Sequence, residues 1–151
     1  MAAQILVACA GFLLAVLWID LIFDTQIRLR AHGGEPVEDA LASVSGYYSR
    51  ATTTSRPMST LIALVMGILL ATLAVEAVRG ARPGWMMALS AALAGGPILL
   101  ALVRTVPNAV RLGRRTDLRA GQIRLARAIL RDHIGCAVGM LAFLVLWLVA
   151  G

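Results

Sequence analysis

Apolar residues in this chain come in long unbroken runs, not in the alternating or every-third-residue patterns of a soluble protein. Four windows carry them, about Ala3 to Phe23, Met58 to Val78, Trp85 to Val103 and Ile134 to Ala150. Each has roughly the 20 residues that a helix needs to cross the hydrocarbon of a bilayer. The runs are rich in Ala and Leu and do not alternate, which disfavours the strands of a membrane barrel. The pattern predicts an all-α integral membrane four-helix bundle, a single four-span domain over residues 1–151. The first run is not read as a signal peptide, because no basic residue precedes it and no small-residue cleavage site follows.

The segments between the runs predict further helix. Glu38 to Tyr48 reads as a short helix on the membrane surface, with Tyr47 and Tyr48 as interfacial anchors, after a turn at His32-Gly33-Gly34-Glu35-Pro36. Thr116 and Asp117 read as an N-cap from which Leu118 to His133 continues into the fourth span. Gly95-Gly96-Pro97 predicts a kink in the third span. Gly135 and Gly139 form a GxxxG pair for close helix packing in the fourth.

Composition sharpens this. Hydrophobic residues make up 60% of the chain and charged residues 15%, and the mean hydropathy is +0.83. Disorder, a disulfide scaffold and an ordinary soluble domain are excluded. All 14 basic residues are Arg, against 8 acids, for a net charge of +6. Most of them lie in the loops after spans 1 and 3. The positive-inside rule makes both loops cytoplasmic, with N- and C-termini outside, in a bacterial-type inner membrane. Trp85 and Trp147 are then expected at the outer interface and Trp18 near the inner one. The Arg residues suit anionic lipid headgroups. No stacking aromatics lie among them, so nucleic acid is not an expected partner. A homo-oligomer and a larger membrane complex both stay open.

No soluble catalytic signature is present: no GxSxG, GxGxxG, Walker motif, CxxC or HExxH. What remains is a polar level at the cytoplasmic ends of the spans. Asp20 and Asp24 stand at i, i+4 on span 1, Arg104 and Asn108 at i, i+4 on span 3, and Arg131, Asp132 and His133 at the head of span 4. Arg50, Thr53, Arg56 and the two tyrosines approach from loop 1. Ionisable groups at membrane depth are costly and tend to be paired or functional. A direct contact is expected between Asp20 or Asp24 and Arg104, Arg131 or His133. The chain has two His residues, and His32 lies in a loop, so no metal is assigned to the cluster and no cofactor is named.

The stretch Arg104-Thr-Val-Pro-Asn108-Ala-Val-Arg-Leu, followed by Leu125-Ala-Arg-Ala-Ile-Leu-Arg-Asp-His133 and a last apolar span, resembles the small four-helix membrane proteins related to anthrone oxygenases. The match covers the C-terminal third and the four-span plan. Cys136 stands where that family often has an Arg, and its Trp before the His is missing. The resemblance implies oxidation of a lipophilic phenolic or polycyclic substrate. In that reading His133 is the base, Asn108 and Arg104 stabilise the oxyanion, and Asp20 or Asp24 orients them. The rival expectation is a non-catalytic accessory subunit of a larger membrane complex, with the same residues as structural ion pairs.

Overall fold

The computed structural model describes residues 1–33, 37–54 and 56–150, and the side chains of all of these except 28–33, 53, 54 and 56. The described residues are almost entirely helical, in five helices: α1 Ala2–Gly33, α2 Val37–Ser49, α3 Arg56–Arg79, α4 Gly84–Arg114 and α5 Arg119–Val149. Four of them are long and apolar enough to cross a membrane, over Ala2–Ile27, Pro57–Arg79, Gly84–Arg114 and Arg119–Val149. These ranges extend the expected spans, because each helix carries on past its apolar run into polar sequence. Only 17–33% of the most apolar window of each is buried against the rest of the chain. Trp18, Leu99, Leu102 and Val138 are each more than half exposed. So broad an apolar surface suits hydrocarbon and not water.

Helix α1 packs most extensively along α5 and also against α3. Helix α2 lies across the far ends of α1 and α4. Helix α3 meets α4 at the opposite end, around residues 84–95. Two buried apolar layers result. Leu6, Leu13, Leu69, Met140 and Phe143 belong to the layer within the spans. Ile27, Leu41, Val44, Leu112 and Ile129 belong to the layer under α2.

Helix α4 stays helical through Gly95-Gly96-Pro97. It widens into π-helical turns at Ala91–Gly95 and Ala101–Thr105. Each precedes a proline, Pro97 and Pro107. A proline has no N–H for the carbonyl four residues back, and its ring pushes that carbonyl aside. The carbonyls concerned, of Leu93 and Val103, both fall inside the widened turns. Gly139 of α5 covers the first of them: a Cβ there would lie 3.2 Å from the Leu93 oxygen and 3.0 Å from Pro97 Cγ. Gly135 has nothing within 4 Å, so only half of the GxxxG pair is a contact.

The turn into α5 differs from expectation. Helix α4 ends at Arg115, whose left-handed φ of 53° breaks the helix. Helix α5 begins at Arg119, after Leu118, without a side-chain cap. Asp117 bonds instead to Arg111, Oδ1 to Nη2, at 2.7 Å. Trp147 is not a surface belt residue. It is 2% exposed, and its indole N–H donates to Ser90 Oγ at 2.9 Å.

A close approach that the sequence did not announce fixes α2. A Cβ on Gly113 of α4 would lie 2.8 Å from the Ser49 nitrogen and 3.1 Å from the Tyr48 carbonyl carbon. Both are backbone atoms and cannot swing away. Gly113→Ala is therefore expected to destabilise by about 1–3 kcal/mol, the usual cost of overpacking. Gly135→Ala is expected to be neutral. Thermal melts of both variants in detergent, followed by circular dichroism, check this. Equal melting temperatures would mean that α2 does not depend on the contact.

Candidate functional site

The two apolar layers are separated by a polar one. Helix α1 supplies Asp20 and Asp24, which share a face at i, i+4 spacing. Helix α5 supplies Asp132 and His133, and α2 supplies Tyr47 and Tyr48. Asp24 is 1% exposed and His133 is 8% exposed. A carboxylate so enclosed needs hydrogen bonds to replace its lost water. It has them: the Tyr48 hydroxyl donates to Oδ1 at 2.7 Å, and His133 Nδ1 lies 2.7 Å from Oδ2.

This pattern sets the histidine. With Tyr48 donating to one oxygen, the carboxylate is completed when Nδ1–H donates to the other. The lone pair of the neutral ring is then on Nε2. Nε2 stands 3.9 Å from Asp20 Oδ2, beyond hydrogen-bond distance. The other Asp20 oxygen accepts from the Tyr47 hydroxyl at 2.6 Å. Tyr47 is stacked on Phe23, with ring centroids 4.1 Å apart.

Burial, reinforced by the neighbouring carboxylates, pushes the Tyr47 and Tyr48 hydroxyls well above the ordinary tyrosine range. Both remain proton donors throughout the working pH range. They are therefore partners of the two carboxylates, which corrects their reading as surface anchors.

His133 lines a cavity of about 390 Å³, in the size range of small-molecule sites. Leu13, Leu17, Ile62, Met66, Ile98 and Met140 are among its apolar walls, and Asp20, Tyr48, Thr105 and His133 form its polar end. It opens between α3 and the middle of α4, where these helices diverge. Leu102 and Val106 line it there while remaining 60% and 50% exposed. That opening faces the surroundings of the spans.

The expected cluster is thus brought together in part. Asp20, Asp24 and His133 meet, and the direct contact runs between Asp24 and His133. Arg104 does not join them. Its Nε pairs with Asp132 Oδ2 at 3.2 Å, and its side chain is 49% exposed. Asn108 is half-buried and lies outside the cavity wall. Neither Arg104 nor Asn108 is among the residues that line the cavity. Arg131 is exposed and faces a different groove, and Arg50 is exposed. The side chains of Thr53 and Arg56 lie outside the described residues.

Sequence reasoning missed Thr105 and placed Asp132 in the polar level without a role; they are 3% and 5% exposed, with Thr105 Oγ1 3.4 Å from Asp132 Oδ2. The signal for Asp132 was its place beside His133. Neighbouring residues on a helix point about 100° apart, so one serves α4 while the other serves α1. Among the described residues, no group of three His, Cys, Asp or Glu side chains is placed to hold a metal ion.

Comparison with protein-family models, curated proteins and solved structures gave no match for this chain.

The Asp24–His133 contact is testable as an energetic coupling. Asp24→Ala and His133→Ala are each expected to destabilise, because each leaves a buried polar partner unsatisfied. The double variant should lose less than the sum, with a coupling of about 1–3 kcal/mol. Unfolding of the four proteins in one detergent measures it. Additive losses would show that the contact contributes nothing of its own.

Proposed function

We propose that this chain is an inner-membrane four-helix bundle, with both termini outside, that takes a lipophilic molecule into its cavity and removes a proton from it. One observation carries the reading: a histidine held by a buried carboxylate at Nδ1 lines a mostly apolar cavity. A carboxylate that fixes the tautomer and favours the protonated ring is how a histidine is made a positioned base. The opening between α3 and α4 suits a molecule that arrives dissolved in the bilayer. The four Arg of the first loop and eight of the segment from Arg104 to Arg131 support cytoplasmic placement of the polar layer.

The substrate class that fits is a polycyclic phenol or a ring with an activated methylene. His133 Nε2 takes a proton from the C–H, and the electron pair stays on the carbanion. Dioxygen, the oxidant, accepts that pair in a new C–O bond. The proton returns to give a hydroperoxide, which loses water to leave a carbonyl. The sum is CH2 plus O2 giving C=O plus H2O. This is the chemistry implied by the anthrone-oxygenase resemblance. Of the donors in this chain, Tyr48 and Thr105 stand nearer the developing charge than Arg104 and Asn108 do. Asp20, 3.9 Å from Nε2, steadies the ring once it is protonated.

The test uses the purified chain in lipid nanodiscs with a dihydroxyanthrone and dissolved oxygen, followed by the absorbance of the quinone. Faster oxidation than in empty nanodiscs is expected. His133→Gln should lose about a hundredfold or more of it, in keeping with the usual contribution of a general base. Leu102→Trp should slow uptake with little change in equilibrium affinity. Binding without turnover would remove the oxygenase step and leave a lipophilic-ligand binder. Neither binding nor turnover is the outcome for an accessory subunit, and it would overturn the reading.

Orientation has its own check. A cysteine placed at Thr116, in a variant lacking Cys9 and Cys136, should resist a membrane-impermeant thiol reagent in intact cells and react in inside-out vesicles. The reverse pattern would invert the topology.

A further inference from the structure

A second concave surface lies at the α4–α5 turn and shares no lining residue with the cavity. It has a volume of about 420 Å³ and is rimmed by Arg111 of α4 and by Arg124, Arg127 and Arg131 of α5. The last three stand at i, i+3 and i+7, so they share one face of the helix. Gly121, Leu125 and Ala128 give it an apolar floor.

Its charge is unbalanced. Asp117 lines the groove, but its Oδ1 is engaged by Arg111 at 2.7 Å. Arg124, Arg127 and Arg131 make no ion pair with any carboxylate among the described residues. Three like charges on one helical face repel one another, and among the described residues no carboxylate pairs with them. Elsewhere the chain does pair its arginines, as in Arg104–Asp132 and Arg119–Glu38.

Depth identifies the counter-ion. Arg131 is two residues from His133, which lies at the polar edge of the spans. Arg124 is seven residues further along the helix, about 10 Å at 1.5 Å per residue. That interval is the headgroup region of a bilayer, where α5 leaves the hydrocarbon. Guanidinium groups match phosphate in geometry as well as in charge. An apolar floor under a cationic rim also suits the junction between a phosphate and its acyl chains.

We propose that this groove binds the phosphate headgroup of an anionic phospholipid, held by Arg124, Arg127 and Arg131 with Arg111 across from them. The site is independent of the reaction assigned to His133. Its occupant fixes the depth of α5 and screens the repulsion along its face.

Native mass spectrometry of the purified full chain in detergent, titrated with phosphatidylglycerol or phosphatidylcholine, tests it. Retention of phosphatidylglycerol over phosphatidylcholine is expected. The triple variant Arg124→Gln, Arg127→Gln, Arg131→Gln should lower that retention by at least about tenfold. Arg114→Gln, exposed but outside the groove, should leave it unchanged. On the unaltered protein, added salt should weaken phosphatidylglycerol binding more than phosphatidylcholine binding. Equal retention of the two lipids would overturn the proposal. So would an equal loss at Arg114, which would mean a diffuse field, or full competition by inorganic phosphate, which would mean a soluble anion. A triple variant that matched the parent would overturn it as well.

Discussion

A carboxylate enclosed in an apolar fold must be given back the hydrogen bonds it had in water, and the structure is arranged around doing this for Asp24. The cost of leaving such a group bare is several kcal/mol even after local relaxation. Two donors therefore have to be delivered to one point from two other helices. Tyr48 comes from α2 and His133 from α5, each at 2.7 Å. Helix α1 is thereby tied to both, at the level where the two apolar layers meet. The same requirement adds to what docks α2. Beside the apolar contacts of Leu41 and Val44, it holds two phenolic donors that bond to the carboxylates of α1.

Charge that pairs in one direction leaves chemistry free in the other. Nδ1 of His133 is committed to Asp24, and Nε2 lies 3.9 Å from Asp20, beyond hydrogen-bond distance. Arg104 shows the opposite case. Its partner Asp132 occupies it, and Thr105 stands at the same oxygen. Two acid–base pairs one residue apart on α5 thus have different fates, one closed on itself and one open towards apolar space.

The spans were legible because unbroken apolar runs of the right length have few other meanings. Asp20, Asp24 and His133 were legible together because charges are scarce near such runs, and residue spacing gives their depth. Depth does not give azimuth, and for that reason Arg104 was expected beside Asp20 and Asp24 but faces Asp132. The tyrosines were misread for a related cause. Which way a connecting helix turns depends on what it packs against, and Gly113, whose missing side chain admits the backbone of Tyr48 and Ser49, reads in sequence as an ordinary small residue. Gly95-Gly96-Pro97 announced a disturbance in α4. The residue that makes room beside the displaced carbonyl of Leu93 lies on another helix, at Gly139, and the sequence of α4 does not name it.

The adjacency of Asp132 and His133 also acts on registry. Each points to a different neighbouring helix, so α5 is read at the same level from two sides. A slip of one residue along its axis would move it by about 1.5 Å and turn it by about 100°. Asp132 would leave Arg104 and His133 would leave Asp24 in the same step. Apolar packing in hydrocarbon tolerates such slips, since one methyl-lined surface resembles the next. Two polar contacts with different bearings do not. The dipeptide works as a vernier that admits a single setting of α5 against both of its neighbours.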